Sequence, residues 1–203
     1  MIIGLTGSIA SGKSTVSAML KEKGYPIVDA DKIARFVVEP GSAVMQKIQA
    51  TFGDAVFLKD GTLNREALGQ RIFGHEKNRE RLNAIMHPAI RAEMLRQKEM
   101  HLANGAEIVI MDIPLLFESK LQSFVEKILV VTVTPENQKN RLMKRNDLTE
   151  EEAMRRIQSQ LPLAVKEAGA DAVIDNNGSI EETKKQLEIA LNKLIAEDSS
   201  SSK

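Results

Sequence analysis

The residues from Gly7 to Ser14 have the types and the spacing needed to hold a chain of phosphates. They read Gly-Ser-Ile-Ala-Ser-Gly-Lys-Ser, which fits the pattern G-x-x-x-x-G-K-[ST]. Glycines let backbone N–H groups approach phosphate oxygens without a side-chain clash, and Lys13 supplies a positive charge. The Ser14 hydroxyl is of the kind that binds Mg²⁺ beside such phosphates. The residues that we expect to bind ATP here are Gly7, Ala10, Ser11, Gly12, Lys13, Ser14 and Thr15.

The sequence on both sides of this motif supports a phosphate-binding loop. Ile2-Ile3-Gly4-Leu5 is typical of a buried strand, and residues 14–21 have a helical pattern of apolar side chains. The loop therefore leads from a strand into a helix N-terminus, where free N–H groups and the helix dipole favour anions. A chance glycine-rich turn would fit the motif in roughly one random chain of this length in a hundred.

The composition narrows the classes of protein to which the chain can belong. Its 203 residues and 42% apolar content suit one domain with a normal core. Lys plus Arg and Asp plus Glu both total 28, which argues against a nucleic-acid partner. Cysteine is absent, which excludes disulfides and thiol chemistry. The apolar runs are strand-sized, so we expect no membrane span and a cytoplasmic location, and nothing in the sequence favours one oligomeric state.

The pattern along the chain predicts an α/β fold with a five-stranded parallel sheet and helices on both faces. Short apolar runs alternate with helical sequence, as such sheets require. We expect a helical insertion over residues 32–104, with breaks that include His87-Pro88, and a helical lid over residues 136–168. Two helix starts are predicted in this region, one with Pro135 in its first turn and one at a capping box of Thr149 and Glu152. Residues 199–203 are expected to be a frayed tail. The predicted strands cover residues 2–5, 25–28, 108–111, 128–133 and 172–174.

Acidic residues at the carboxyl ends of two predicted strands are candidates for catalysis, because ligands of open parallel sheets bind at that edge. Asp31 could orient and deprotonate an acceptor hydroxyl, with Asp29 supporting the geometry or the metal shell. Alternatively, one of the two caps the following helix. Asp112 closes an apolar strand, as a carboxylate that holds Mg²⁺ would, although aspartates are also common in turns.

Two arginines on one predicted lid helix and an apolar loop complete the candidates. Arg141 and Arg145 are four residues apart, so both can point toward the same phosphate or base, or both can simply lie on a solvated face. The loop that begins Pro114-Leu115 could line an acceptor pocket or merely pack the insertion against the core. The three histidines have no metal-ligand spacing.

Taken together, these segments make the chain similar to the dephospho-CoA kinases. The resemblance rests on residues 5–15, Val28-Asp-Ala-Asp31 with Ala34-Arg35, and His87-Pro88 with Arg91. It also rests on Pro114-Leu-Leu-Phe-Glu118, on Arg141 with Arg145, and on residues 170–178. The first motif is shared by all P-loop proteins, whereas the others are more specific, and the resemblance runs in order along nearly the whole chain.

The resemblance implies a P-loop kinase fold and transfer of the ATP γ-phosphoryl group to the ribose 3′-hydroxyl of dephospho-CoA. ATP would be the co-substrate with Mg²⁺, and Ser14 and Asp112 would hold the metal. Asp31 would be the base, assisted by Lys13 and the two lid arginines, and Asn176 and Asn177 would lie near the adenine. The residues expected to contact the acceptor are Asp29, Arg65, His87, Arg91, Pro114 and Leu115.

Three other functions share some of these features. A different small-molecule or nucleoside monophosphate kinase would have the same loop, sheet and lid arginines. A GTP-dependent switch would need an Asn-Lys-x-Asp segment after a strand, which the sequence lacks. A nucleic-acid motor is disfavoured by the balanced charge and the missing second ATPase domain.

Overall fold

The computed structural model describes the backbone of residues 1–201 and the side chains up to Glu197. Each predicted strand is confirmed, with ends that shift by at most two residues. The strands are β1 (Ile2–Gly7), β2 (Ile27–Asp29), β3 (Val109–Asp112), β4 (Lys127–Thr132) and β5 (Ala172–Asp175).

The strands form one parallel sheet in the order β2-β3-β1-β4-β5. β1 lies at its centre, with Leu5 paired to Asp112 of β3 on one side and to Leu129 of β4 on the other. Every residue of β1 and β3 is buried, as expected of central strands covered on both faces. The phosphate loop and Asp112 thus leave neighbouring strands at the same edge of the sheet.

Nine α-helices and two short 3₁₀ segments, Asp54–Val56 and Gln122–Phe124, connect the strands within residues 1–201. The helices are α1 (Lys13–Glu22), α2 (Ala30–Phe36), α3 (Ala43–Phe52), α4 (Arg65–Ile72), α5 (Glu76–Ala103), α6 (Pro135–Asn146), α7 (Glu150–Gln158), α8 (Leu163–Ala168) and α9 (Ile180–Ser201). None of these described helices is long and apolar enough to span a membrane. The expected frayed tail is helical to Ser201, and residues 202–203 lie outside the described part of the chain.

Helices α1 and α9 cover one face of the sheet with a continuous apolar cluster. Side chains of β1, β3, β4 and β5 meet the buried faces of these two helices there. On the opposite face Gly4 leaves room for the Leu116 and Val125 side chains, since a Cβ atom would lie 2.8 Å from Leu116 Cδ1. The sheet is therefore packed on both faces, as predicted.

The chain divides into two compact units. One comprises residues 1–28 and 100–203 and contains the sheet, the phosphate loop and helices α6 to α9. The other comprises residues 29–99 and contains α2, α3, α4 and most of α5. This second unit covers most of the range predicted as a helical insertion.

Local sequence signals mark several helix ends correctly, but the signal at His87-Pro88 does not mark one. The capping box predicted at Thr149 and Glu152 is present, as is the helix start with Pro135 in the first turn. The predicted break at His87-Pro88 is wrong, because α5 is one helix of 28 residues that continues through Pro88. Proline removes one helical hydrogen bond, that to the Ala84 carbonyl, but Ala84 and Pro88 both lie on the exposed side of α5, where water can bind the freed group.

The alternation of buried and exposed residues along β5 gives a test of the fold. Ile174→Ala should lower the free energy of unfolding by about 2–5 kcal/mol, because Ile174 is fully buried in the apolar cluster. Val173→Ala, one residue away and 41% exposed, should cost under about 1 kcal/mol. Urea denaturation of both variants measures this difference, and equal losses would contradict the assignment of the two faces.

Candidate active site

The loop between β1 and α1 has the backbone geometry of a phosphate cradle. Gly12 has φ 89°, and Ala10 has φ 61°, a left-handed conformation that is uncommon for a residue with a side chain. Helix α1 begins at Lys13 with no side-chain cap from the described residues. Thr15 donates its N–H to the Gly12 carbonyl over 2.9 Å, so the N–H groups of Lys13 and Ser14 are the ones left for a ligand, as at other anion-binding helix starts.

Two glycines of the loop are required by close packing. A Cβ atom on Gly12 would lie 1.9 Å from Nδ2 of Asn176, and one on Gly7 would lie 2.7 Å from the backbone oxygen of Val131. Neither gap admits a methyl group. The two glycine positions of the motif therefore serve the packing of the loop against β4 and the end of β5.

Lys13 and Asp112 form an ion pair in this structure. The Lys13 ammonium group donates a short hydrogen bond to Oδ1 of Asp112, which is 5% exposed. The pair sits where the loop and the end of β3 lie side by side. An ammonium group at the start of α1 and a carboxylate beside it are the charges expected around a bound metal–phosphate complex.

The residues expected to hold Mg²⁺ offer oxygen donors of the right kind. Ser14 is exposed in the first turn of α1, and Asp112 closes β3. Within residues 1–197, no group of three or more His, Cys, Asp or Glu side chains could hold a metal ion. One hydroxyl and one carboxylate suit Mg²⁺ at a nucleotide site, because that ion takes its other ligands from phosphate and water.

Asn176, which follows β5, supports the loop through its side chain. Its Nδ2 atom donates to the Ser11 carbonyl oxygen over 2.8 Å, and its Oδ1 atom accepts from the Thr183 hydroxyl over 2.8 Å. Its own carbonyl accepts a hydrogen bond from Nη2 of Arg141, also over 2.8 Å. Asn176 is 9% exposed, so these contacts lie in the interior and fix the loop relative to α6 and α9.

The neighbouring predicted residues have different surroundings. Oδ1 of Asn177 accepts hydrogen bonds from the backbone and the hydroxyl of Thr134 and from Asn137, so Asn177 joins the end of β5 to the start of α6. Arg145 is exposed and donates to Asn146. Of the two arginines of α6, Arg141 is thus the one whose guanidinium group lies beside the phosphate loop, where its Nη1 atom would be 3.9 Å from a Cβ on Gly12.

Two residues of the predicted lid that do not stand out in the sequence bind the loop directly. Oε1 of Gln160 accepts a hydrogen bond from the Ile9 backbone N–H over 2.8 Å, and Nε2 of Gln138 donates to the Ile9 carbonyl over 2.9 Å. Gln138 is 5% exposed and shares the buried stripe of α6 with Leu142. A polar residue at an apolar position of a helix is the sequence signal that could have identified it.

The loop after β3 is held at both ends. The Pro114 carbonyl accepts a hydrogen bond from the Thr6 hydroxyl over 3.1 Å, while Leu115 is 41% exposed. Farther on, Oε1 of Glu118 accepts the Leu161 N–H over 3.1 Å and lies 2.8 Å from Nζ of the fully buried Lys166. This last contact is close enough for an ion pair, but its angles are not those of a hydrogen bond. Both contacts fasten the loop to residues 161–166.

The remaining predicted residues belong to the unit of residues 29–99. Asp29 caps α2 by accepting a hydrogen bond from the Lys32 N–H over 2.9 Å, so the capping role falls to Asp29. Asp31 is exposed in the first turn of that helix.

The acceptor candidates of this unit lie on two helices. Arg65 begins α4, and His87 and Arg91 lie one turn apart on α5, all three exposed. Partial burial lowers the pKa of His87, and the Arg91 charge lowers it further, so the imidazole is neutral at neutral pH.

A family model and similar proteins of known sequence point to one family. The family model described as dephospho-CoA kinase matches residues 1–182. A dephospho-CoA kinase of Bacillus cereus is 56% identical over 191 residues, which cover 94% of this chain and 96% of that protein.

Two solved structures are similar over nearly their whole length. A crystal structure of a Thermus thermophilus protein has a TM-score of 0.79 at 35% identity and covers 97% of each chain. A dephospho-CoA kinase from Campylobacter jejuni has a TM-score of 0.72 at 29% identity and covers 95% of this chain and 96% of that one.

The packing of Gly12 against Asn176 predicts a specific effect of substitution. Gly12→Ala should lower the affinity for ATP at least about tenfold, because the new methyl group must displace the Asn176 amide. Gly24→Ala is the matched control, since Gly24 has φ 87° and no atom within 4 Å of the added Cβ. The control should cost about 1 kcal/mol in stability through its backbone conformation, with ATP affinity unchanged. Calorimetric titration with ATP measures both, and equal affinities would contradict the packing argument.

Proposed function

The chain belongs to the dephospho-CoA kinase family, and we propose that its phosphate loop, Asp31 and the lid arginines transfer the ATP γ-phosphoryl group to the ribose 3′-hydroxyl of dephospho-CoA. The products are coenzyme A and ADP, so the enzyme is a phosphotransferase of the last step of coenzyme A synthesis. The observation that carries this conclusion is the match of the family model to residues 1–182, which includes the phosphate loop, both acidic strand ends and the lid.

The donor site is formed by the loop and the start of α1. Unpaired N–H groups bind the phosphate oxygens, and Lys13 exchanges its contact with Asp112 for the β and γ phosphates. Ser14 and Asp112 would hold Mg²⁺, which would neutralise charge on the transferred group when bound. Most of this stabilisation comes from charges that the fold has placed before ATP arrives.

Asp31 is our candidate for the base that accepts the proton of the 3′-hydroxyl group as the oxygen attacks the γ-phosphorus. Asp29 uses its carboxylate to cap α2, whereas the exposed carboxylate of Asp31 is available to a ligand. The proton passes to a carboxylate oxygen, the bond from the γ-phosphorus to the bridging oxygen breaks, and ADP leaves. A carboxylate in this role also orients the attacking oxygen.

The lid supplies positive charge to the phosphates. Arg141 already lies beside Gly12, and its planar guanidinium can form two parallel hydrogen bonds to phosphate oxygens. Arg145, one turn farther along α6, is exposed and would contact the nucleotide from the next turn of the helix. Asn176 and Asn177, which follow β5, would lie near the adenine of ATP.

The acceptor is a long nucleotide with phosphate groups, which requires more contact surface than a small sugar does. Arg65 and Arg91 offer charge for phosphates, and neutral His87 offers a hydrogen bond. Pro114 and the exposed Leu115 offer apolar surface beside the sheet.

We place the enzyme in the cytoplasm, because a chain without cysteine needs no oxidising compartment to form disulfides.

Replacing Asp31 tests the proposed base. Asp31→Asn should lower kcat by at least about a hundredfold while the KM for ATP changes little, because the amide keeps the size but cannot accept the proton. Asp29→Ala is the contrasting variant, and it should lower the unfolding free energy by about 1 kcal/mol through loss of the cap. Steady-state kinetics and thermal unfolding separate the two roles. A nearly normal kcat for Asp31→Asn would remove it from the reaction.

The choice of acceptor tests the function itself. With Mg·ATP, dephospho-CoA should be converted to coenzyme A, whereas AMP, CMP, shikimate and gluconate should give little product. The measurement is ADP release for each acceptor, paired with identification of the product by mass spectrometry. Turnover on a nucleoside monophosphate that equals or exceeds turnover on dephospho-CoA would favour a nucleotide kinase instead. ATP hydrolysis that does not depend on any acceptor would favour a switch or a motor.

A further inference from the structure

We propose that Gln138 and Gln160 are positioning residues through which the lid holds the phosphate loop in the orientation that binds ATP. The inference rests on the proposed role of the loop as the ATP site. Neither side chain needs to touch ATP for this role. Each acts on the nucleotide through the backbone of Ile9, which lies in the middle of the loop.

The two glutamines bind the two backbone groups of one residue with opposite polarity. Gln160 accepts from the Ile9 N–H over 2.8 Å, and Gln138 donates to the Ile9 carbonyl over 2.9 Å. The backbone dictates which end of each amide faces it, since an N–H can only donate and a carbonyl can only accept. Gln160 must therefore present its oxygen, and Gln138 must present its nitrogen.

Because peptide groups are planar and trans, these contacts also orient groups that they do not touch. Holding the Ile9 carbonyl fixes the plane shared with Ala10, so the Ala10 N–H must point in the opposite direction. Holding the Ile9 N–H likewise fixes the plane shared with Ser8, whose carbonyl accepts the Ser11 N–H over 3.1 Å. The lid thus sets the direction of a donor in the loop.

The conformation of Ala10 indicates that this fixing is needed. A left-handed conformation costs about 1–2 kcal/mol for a residue with a side chain, and Ala10 has φ 61° directly after the clamped peptide. Such conformations persist where the surrounding contacts determine them, and they concentrate at ligand sites. The hydrogen bonds from Gln138 and Gln160 are contacts of this kind.

Both glutamines are themselves held in place. Gln138 is 5% exposed on the buried stripe of α6. Gln160 precedes Leu161, whose N–H is bound by Glu118, and Glu118 pairs with the buried ammonium group of Lys166. Contacts on the loop after β3 therefore anchor the backbone that carries Gln160.

Removing each hydrogen bond separately is the first test. Gln138→Met and Gln160→Met should each raise the KM and the dissociation constant for ATP about fivefold to tenfold, because an unpaired backbone group loosens the loop. The KM for dephospho-CoA and the melting temperature should change little. Gln158→Met is the matched control, since Gln158 is exposed at the end of α7, and it should behave like the wild type.

Exchanging the polarity at position 160 is the sharper test. Gln160→Glu keeps an oxygen that accepts the Ile9 N–H, whereas Gln160→Lys places a donor against a donor. Simple attraction to phosphate would favour lysine over glutamate at this position. It therefore predicts the opposite order of ATP affinities from the one that the positioning role predicts. The positioning role requires that Gln160→Glu bind ATP more tightly than Gln160→Lys. Both variants are compared at 0.5 M salt to screen the added charge.

The outcomes separate this inference from the proposed function. If the wild type fails to phosphorylate dephospho-CoA, the function is wrong. If the wild type is active but both methionine variants bind ATP normally, the positioning role is wrong while the function stands. Tighter ATP binding by Gln160→Lys than by Gln160→Glu also overturns the positioning role. So does an equal rise in KM for both substrates, or a loss of ATP affinity that merely follows a lowered melting temperature.

Discussion

A backbone can bind phosphate only while its N–H groups stay unpaired and their peptide planes stay in one orientation. These two conditions conflict, because a loop whose N–H groups are unpaired lacks the backbone hydrogen bonds that would fix its conformation. In this protein the loop is held through two of its carbonyls and through the Ile9 N–H, which donates to Gln160, so the N–H groups of Lys13 and Ser14 stay free for phosphate. Asn176 binds the Ser11 carbonyl, and Gln138 binds the Ile9 carbonyl, so the fixing contacts come from residues beyond β4. The sheet, α6 and α9 position those side chains beside the loop.

The parts of the structure that could be predicted are those with a local signature. A buried strand has a continuous apolar run, a capping box has fixed spacing, and the phosphate loop has a glycine and lysine pattern. For this reason the five strands, the Thr149 cap and the helix start at Pro135 were all found from the sequence. The Asp29 and Asp31 pair was recognised as a site or a cap, and the structure gives the cap to Asp29.

The parts that could not be predicted depend on partners far apart in the chain. Gln138 lies 129 residues from Ile9, and Asn176 lies 165 residues from Ser11, so no spacing rule connects them. A hydrogen bond between a side chain and a backbone group far away in the chain produces no periodic pattern in the sequence. The error at Pro88 has a different origin, because the preference of proline for a helix end was outweighed by the rest of a long helix.

The buried pair of Lys166 and Glu118 limits how this region can change during evolution. Replacing either partner alone strands a charge in the interior at a cost of about 3–5 kcal/mol, whereas replacing both with apolar residues can be nearly neutral. Glu118 also satisfies the Leu161 N–H, so an apolar pair would leave that backbone group without its acceptor. Stepwise drift at these two positions must therefore cross a destabilised intermediate, and related chains should carry either both charges or neither.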